Sequence, residues 1–481
     1  MNLVLIFIFR TDYKFQAPQC FLAGAGRGRG MTTRLMAMTV AALAWQLASP
    51  GRSAALCPGD CDSGGSVTID ELVGSVTRAL DATANFECLA ADRDGFGEYT
   101  IDELIAAVGS ALNGCPDWPP TAESVARTYA SVLYANYSDA LAGAQAVQAA
   151  VDAFVAAPTA ATLQAAKDAW LAARPAYLQT EMSRFYDGPI DNAEDGPEGL
   201  INAWPLDESY IDYVEGNPDA GIVNMTELHP TIDAELLVEL NEGEDETTIS
   251  TGWHAVEFLL WGQDRDPNGP GARPHTDYLT DGSGTAANQA RRGDYVRAAA
   301  ARLVADVASV RDEWAPNVPG NYRAEFLSVD PDEALRRLLT GMGTLSGGEL
   351  TGERLAVAFD TRDQEDEHSC FADNTHVDHR NDQIGIQNGF LGRYGSVAGP
   401  GVYDLVRTVD PALADAARDA LAAARAAIFA IPVPFDQAIL GADSDPGRQA
   451  IAAAITALNA QTDKIAESAE ALGVPISTTL P

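Results

Sequence analysis

The chain has 481 residues, and its 69 acidic and 31 basic side chains give a formal net charge of -38 at pH 7. That length allows two to four domains, each large enough to bury a core. So acidic a surface repels nucleic acid and anionic lipid and favours cations, so we expect no nucleic-acid partner. Charge alone does not distinguish a role in metal handling from solubility or adaptation to a salty medium.

Residues 1–55 are predicted to be a leader that is absent from the mature protein. A basic start at residues 31–34 is followed by the apolar run LMAMTVAALAWQLA and then by the small residues Ser53, Ala54 and Ala55. This order is typical of a secretory signal peptide. We therefore place the true start at Met31 and expect export to the periplasm or cell envelope. No later segment has the length and apolarity of a membrane span, so we expect no transmembrane span after cleavage.

Residues 57–116 are predicted to form a separate calcium-binding module with an internal repeat, DCDSGGSVTIDEL and DRDGFGEYTIDEL. Both copies match the EF-hand loop, in which oxygen ligands recur at positions 1, 3, 5, 7, 9 and 12 and glycine occupies position 6. Position 5 offers no side-chain oxygen in either copy, so we expect moderate affinity for Ca²⁺. The predicted ligands are Asp60, Asp62, Ser66, Thr68 and Glu71 in the first loop and Asp92, Asp94, Glu98, Thr100 and Glu103 in the second. Each loop leads into an apolar helical pattern, and the module resembles the dockerin type of paired EF-hand.

Four of the six cysteines lie in this module. An even set of cysteines in a small exported unit predicts two disulfides, and the sequence leaves three pairings open. A zinc site is disfavoured because paired Cys-x-x-Cys spacings are missing. The disulfide candidates are Cys57, Cys61, Cys88 and Cys115.

Beyond residue 120 the chain is Ala-rich and has a helical period with almost no strand-like alternation. The predicted helices cover residues 121–156, 159–185, 233–242, 249–262, 292–314, 331–360 with a break near 345–348, 402–431 and 445–472. A long segment rich in Asp, Gly and Pro follows the second helix, and its aromatic residues argue against disorder. We predict an all-α fold in which residues 121–264 and 265–481 form two four-helix bundles behind a small EF-hand pair.

The stretch ISTGWHAVEFLLWG, residues 249–262, is apolar almost all round and predicts a helix buried on several sides. His254 and Glu257 lie three residues apart within it, and therefore on one face. A buried carboxylate needs a cation, a hydrogen-bond donor or a metal to compensate it. A simple His–Glu hydrogen bond and a metal site are the two interpretations that remain open.

Residues 363–382, DQEDEHSCFADNTHVDHRND, are a second polar concentration and carry three of the six histidines. They form either a solvated acidic loop or a source of further ligands for a site with His254. Imidazoles with carboxylates are the donor set of iron, manganese or zinc. The zinc-peptidase signatures His-Glu-x-x-His and His-x-x-Glu-His are missing from the sequence, as are a Gly-x-Ser-x-Gly elbow and a P-loop.

Residues 252–264, GWHAVEFLLWGQD, resemble the Gly-x-His-x-x-Glu motif of the imelysin family. The segments QTE at 179–181, GPID at 188–191, NAWPLDE at 202–208 and EDEHSCF at 365–371 are similar to the same family. The resemblance covers about residues 121–481 and is close to the iron-regulated, insulin-cleaving-protease-like branch. It implies two helical bundles with the His–Glu pair near their interface, export, and a link to iron uptake. The family is also classed with the metallopeptidases.

Transferred residue by residue, the resemblance implies that the metal ligands and their neighbours are His254, Glu257, Glu181, Glu208 and His368, with Arg354 as a charge partner. We therefore expect an exported protein that binds iron or another transition metal in its helical domain and Ca²⁺ in its N-terminal module. Its expected protein partners are other iron-uptake proteins of the envelope. The alternatives are a metal-dependent peptidase, in which Glu257 or a nearby carboxylate acts as the base, and a calcium-organised surface scaffold.

Overall fold

The computed structural model describes residues 58–61, 67–81, 88, 91, 99–113, 120–243, 245–266 and 268–480, with only the backbone of residue 102. The predicted leader, five predicted calcium ligands and two candidate cysteines lie outside these residues. These seven side chains are Asp62, Ser66, Asp92, Asp94, Glu98, Cys57 and Cys115.

Two short helices of the N-terminal module, α1 (Ile69–Leu80) and α2 (Ile101–Asn113), begin in the same way. Glu71 Oε2 accepts hydrogen bonds from the backbone N and the Oγ1 of Thr68, at 2.7 and 2.8 Å. Glu103 Oε2 accepts the same pair from Thr100, at 2.8 and 2.9 Å. This reciprocal capping satisfies orphan N–H groups at the start of each helix. The two repeats of the sequence therefore have the same local structure where both are described.

Cys61 and Cys88 form a disulfide that closes 27 residues of the module. A small buried cluster of Cys88, Ala91 and Tyr99 surrounds it, and the Tyr99 hydroxyl accepts a hydrogen bond from the Cys88 N–H at 2.7 Å. So small a core contributes little stability by itself, and small exported units commonly use disulfides to compensate.

The Ala-rich chain after residue 120 is helical, so the prediction of a predominantly helical fold is confirmed. Its first helices are α3 (Ala122–Ala156) and α4 (Ala160–Leu178), and Thr121 and Thr159 cap them by accepting a hydrogen bond from the N–H three residues on. The second helix ends at Leu178 and not at residue 185 as predicted. The Thr180 N–H turns back to the Tyr177 carbonyl at 2.8 Å, which tightens the chain into the 3₁₀ turn Glu181–Ser183.

The next part of the chain follows an irregular path with several short helices before a long one. These elements are α5 (Glu198–Ile201), α6 (Glu208–Ile211), α7 (Ala234–Leu240), α8 (Gly252–Trp261), the 3₁₀ turn His275–Tyr278, α9 (Gln289–Glu313) and α10 (Tyr322–Phe326). A buried ion cluster holds this path together. Asp212 accepts hydrogen bonds from Arg292 at 2.6 and 2.9 Å and from Arg273 at 2.6 Å.

The predicted break near residues 345–348 is wrong, because the helix continues there with a wider turn. Helix α11 (Pro331–Thr344) passes directly into a π-helix, Leu345–Ala356, and then into α12 (Val357–Thr361). A Cβ at Gly347 would lie 2.8 Å from Thr462 Cγ2, and one at Gly348 would lie 2.9 Å from Leu480 Cγ. The two glycines therefore permit close packing against the C-terminal part of the chain instead of ending the helix.

The remaining elements are mostly helical. They are the 3₁₀ turn Gln364–Asp366, α13 (Thr375–Leu391), β1 (Arg393–Tyr394) paired antiparallel with β2 (Val397–Ala398), α14 (Val402–Val409), α15 (Pro411–Phe429), α16 (Phe435–Ile439) and α17 (Pro446–Ala471). The interpretation of residues 363–382 as a solvated loop is wrong for the part that forms α13, because Asp378, His379 and Asp382 are buried there.

The helices pack around one continuous hydrophobic core. Helix α3 packs against α4 and α9, and α15 packs against α17. Helix α13 contacts α4 and α15, so it joins the two groups of helices. Buried apolar residues from Val125 to Val474 form a single cluster, and the division into two four-helix bundles therefore stays a prediction. In the described ranges we find no helix with the length and apolarity that crossing a membrane requires.

Candidate metal centre

Helix α8 is buried along its whole length, as its apolar sequence predicts. Gly252 begins the helix with φ of +84°, and a Cβ there would lie 2.5 Å from the Ile201 carbonyl oxygen. Glycine is therefore required both by the left-handed backbone and by the close approach of Ile201. This contact sets the position from which His254 and Glu257 extend into the interior.

His254 and Glu257 contact each other in a dry environment. The His254 Nδ1 lies 3.0 Å from Glu257 Oε2, and Glu257 Oε1 accepts a hydrogen bond from the Ala372 N–H at 3.0 Å. Both oxygens of Glu257 thus have a partner. The His254 Nε2, by contrast, is buried and has no hydrogen-bond partner among the described residues. An unpaired ring nitrogen at full burial is costly and requires an explanation.

His368, like His254, is paired with a carboxyl group through its Nδ1. Its Nδ1 lies 2.7 Å from Asp378 Oδ2, which also accepts from Ser369 Oγ at 2.5 Å and from Arg174 Nη2 at 3.2 Å. The centroids of the His254 and His368 rings are 4.6 Å apart, with their planes nearly perpendicular. Trp204 packs on both rings, at centroid distances of 4.9 and 6.4 Å.

Glu181 and Arg354 extend this network on the side of His368. Asn202 Nδ2 donates to Glu181 Oε1 at 2.7 Å and lies 3.4 Å from His368 Nε2. Arg354 donates to Glu181 Oε2 at 2.5 Å and to Asp382 Oδ2 at 2.7 Å. The structure therefore brings together four of the five predicted ligand residues and the predicted charge partner.

Glu208 is the predicted ligand for which the structure shows no contact with the histidine pair. Its carboxylate accepts a hydrogen bond from Gln263, and its charge acts on the neighbouring Glu365. Burial raises its pKa. In the described contacts, Glu208 belongs to a different polar group beside the end of α8.

Burial favours the neutral form of both histidines. Burial lowers the pKa of His254 well below its ordinary value, and His368 and Arg174 lower it further. Burial also lowers the pKa of His368, with a contribution from Arg354. Burial raises the pKa of Glu257 well above its ordinary value. Burial alone would raise the pKa of Asp378, but Arg174 and His368 outweigh it, so that this carboxyl stays ionised.

Four charged or amide residues of the network were not among the predicted site residues, namely Arg174, Asn202, Asp378 and Asp382. Asn202 lies in the motif at 202–208 and both aspartates lie in the polar segment 363–382, but nothing in the sequence linked Asp378 to His368. Arg174 lies in the Ala-rich α4 and is fully buried, where its Nη1 donates to Asn202 Oδ1 at 2.7 Å. An arginine on the inward side of an apolar helix is the signal that was available.

The potential metal ligands lie near one another, but they are not arranged at metal-ligand distances. Within the part of the chain that the structure describes, no three His, Cys, Asp or Glu side chains already form a group that could hold a metal ion. The two histidine rings are nevertheless adjacent, and each is held through Nδ1 by a carboxyl group.

A known protein family matches most of the helical chain. The family model described as Imelysin matches residues 133–465. The chain belongs to the imelysin family. A curated relative, "Iron-regulated protein A" of Synechococcus elongatus, is 26% identical over 342 residues, which is 69% of this chain and 82% of the relative.

Two crystal structures share the imelysin fold of this chain. One is a candidate iron-regulated protein A precursor from Parabacteroides distasonis, with a TM-score of 0.53, 19% identity, and coverage of 73% of this chain and 97% of that chain. The other is an Imelysin-like protein from Psychrobacter arcticum, with a TM-score of 0.52, 15% identity, and coverage of 74% and 98%. At these identities the likeness establishes the fold only.

Proposed function

We propose that this imelysin-family chain is an exported protein that binds iron, or another transition metal, between the Nε2 atoms of His254 and His368. The role that fits best is iron uptake or another iron-regulated function of the cell envelope, with other iron-uptake proteins as partners. The relative from Synechococcus is named for its regulation by iron, and the signal-like leader supports export.

The observation that carries the proposal is the orientation of the two imidazoles. Metal-binding histidines usually donate their second ring N–H to a carboxylate, which fixes the tautomer and strengthens the ligand. Here Glu257 stands at Nδ1 of His254 and Asp378 stands at Nδ1 of His368. We therefore propose that Glu257 orients His254, whereas the resemblance implied that it is a direct ligand.

The lowered pKa values of both histidines support the same proposal. A neutral imidazole ligates a metal through its lone pair, and a protonated one cannot. Asn202 Nδ2 contacts both His368 Nε2 and Glu181 Oε1, so Glu181 is the carboxylate that we propose as a third ligand. Arg354 and Arg174 offset the charges of Glu181 and Asp378 in this buried region. Bound iron would supply Lewis acidity and redox chemistry at this point.

Metal analysis of variants tests the proposal. Chelator-treated full-length protein is reloaded with Fe²⁺ without oxygen, dialysed and measured by elemental analysis. His254→Ala should lose one equivalent of iron, and the control His229→Ala should keep it. Asp378→Asn should retain the site but with an affinity about 10–100-fold lower, because His368 loses its orienting partner. Iron binding by His254→Ala at the stoichiometry of the control would refute the proposal.

The runner-up function is a metal-dependent peptidase, which the peptidase name of the matching family model favours. In that case the bound ion would activate water and a nearby carboxylate would act as the base. Cleavage of an unfolded protein that a chelator stops, and that His254→Ala abolishes, would support this alternative over a binding function alone.

We also propose that the two N-terminal loops bind Ca²⁺. Glu71 caps α1 and Glu103 caps α2 through the same contact, and this supports the proposal. Position 12 of an EF-hand loop is a bidentate ligand and also lies at the start of the exit helix. The paired variant Glu71→Gln and Glu103→Gln should lose up to two Ca²⁺ per chain and keep its iron. Unchanged Ca²⁺ binding would refute it.

A further inference from the structure

Four carboxyl groups from three segments of the chain lie near one another, beside the candidate metal centre. We call them the acidic cluster, and its members are Asp264, Glu367, Asp373 and Asp436. Asp264 follows α8, Glu367 and Asp373 flank the turn before α13, and Asp436 lies in α16. Asp264 and Asp373 share a hydrogen bond, and both Asp373 and Asp436 act electrostatically on Glu367.

Three of the four members are buried, and two of these have an oxygen atom without a partner among the described residues. Glu367 is 1% exposed and Asp436 is 4% exposed. Among the described residues, Glu367 Oε1 and Asp436 Oδ1 have no hydrogen-bond donor. Burying two carboxylate oxygens without hydrogen-bond donors costs free energy. A protonated neighbouring carboxyl group would satisfy such an oxygen only if its O–H pointed at that oxygen.

Three other buried carboxylates of this protein are paired with arginines, and this distinguishes them from the acidic cluster. Asp212 receives two arginines, Asp378 receives Arg174, and Asp382 receives Arg354. The charged groups that act most strongly on Asp264, Asp373 and Glu367 are, in contrast, other carboxylates. Burial and this mutual repulsion raise the pKa of Asp264 to about 7 and that of Asp373 to about 6.

We propose that the acidic cluster is a second cation site, which binds a hard divalent cation such as Ca²⁺ or Mn²⁺. A donor set made only of carboxylate oxygens suits these ions and differs from the imidazole-containing centre beside it. The oxygens are not yet gathered at ligand distances, so binding requires side-chain rotation, chiefly of the half-buried Asp373. The cation compensates the negative charge and occupies the unpartnered oxygens of Glu367 and Asp436.

The site stands beside the candidate iron centre but is independent of it. Glu367 precedes His368 in the chain, and Ala372, whose N–H holds Glu257, precedes Asp373. The same turn therefore carries residues of both sites. A cation in the acidic cluster would fix this turn, although neither site requires the other to be occupied.

Ion counting with a charge-matched control tests this proposal. The double variant Asp264→Asn and Asp436→Asn removes two carboxylates of the cluster. The control, Asp245→Asn and Asp281→Asn, removes two carboxylates that are fully exposed. Full-length protein stripped of metal is equilibrated with Ca²⁺, and in parallel with Mn²⁺, and the bound ions per chain are measured.

The cluster variant should bind one ion fewer than the control and should lose part of the rise in Tm that the cation produces. Its iron binding should equal that of the control, and His254→Ala should retain the cluster's ion, so the two proposals can fail separately. Equal ion counts in the cluster variant and the control would overturn the proposal. If circular dichroism shows that the variant is unfolded, anomalous diffraction from wild-type crystals soaked in Mn²⁺ tests the proposal instead. An anomalous peak among the four carboxylates supports the site, and peaks found only elsewhere overturn it.

Discussion

Arg354 is the residue whose replacement should destabilise the helical domain most clearly. This residue is 3% exposed, and its guanidinium donates to Glu181 at 2.5 Å, to Asp382 at 2.7 Å and to Glu349 at 3.0 Å. The variant Arg354→Met keeps most of the side-chain volume but removes the ion pair of the buried Asp382 and the shorter of the two ion pairs of the buried Glu181. Breaking a buried ion pair in this way costs about 3–5 kcal/mol.

The matched control is Arg127→Met, which removes an exposed i,i+4 pair with Glu123 at 2.6 Å. Such a surface pair contributes about 0.3–0.5 kcal/mol. For a helical domain of about 360 residues, an unfolding entropy of about 2 cal/mol/K per residue converts 3–5 kcal/mol into a fall in Tm of about 4–7 °C. Thermal unfolding followed by circular dichroism measures both variants. If Arg354→Met lowers the Tm no more than Arg127→Met does, the buried network described here is incorrect.

Three further predictions follow from single residues. Gly252→Ala should lower the free energy of unfolding in urea by about 1–3 kcal/mol more than Gly282→Ala does. Both glycines have positive φ, but only at Gly252 would the added Cβ meet backbone atoms. Equal losses in the two variants would contradict the close approach of Ile201. Thr159→Ala removes the N-cap of α4 and should cost about 1 kcal/mol, whereas Thr159→Ser should be nearly neutral. Without divalent cations, the raised pKa of Asp264 should make wild-type stability fall as pH rises from about 4 through about 7, because the folded state holds the proton more tightly than the unfolded state. Asp264→Asn should weaken that pH dependence in unfolding titrations, and an unchanged profile would contradict the raised pKa.

The long helices could be predicted from the sequence because local signals determine them. Helices α3 and α4 have apolar residues at helical spacing and threonine caps, and their predicted starts differ from the observed ones by one residue. Helix α8 was predicted from its apolar composition alone. In these segments the apolar pattern, the caps and the tertiary packing agree, which is the condition under which sequence patterns are informative.

Helix α13 was missed because its buried face is polar. Asp378, His379, Asp382 and Gln383 point into the interior, so the helix has no apolar stripe from which a period could be recognised. The π-helix was missed for a different reason. The glycines at 347 and 348 are a helix-breaking signal locally, and only the contacts with Thr462 and Leu480 explain why the helix continues.

The candidate site was predictable in part for a similar reason. The His254–Glu257 spacing is local, and a helix fixes it. The contact of Arg174 with Asp378, by contrast, joins residues 204 positions apart, and no local pattern contains that information. The sequence also could not show that Glu257 Oε2 lies 3.0 Å from His254 Nδ1, the contact on which the proposed orienting role of Glu257 depends.

Anomalous diffraction at the iron absorption edge tests the central claim most directly. Crystals of the full-length protein grown with Fe²⁺ should show one peak within bonding distance of the Nε2 atoms of both His254 and His368. Glu257 and Asp378 should remain on the Nδ1 atoms. Iron that binds only elsewhere, with both Nε2 atoms left without a metal, would contradict the account.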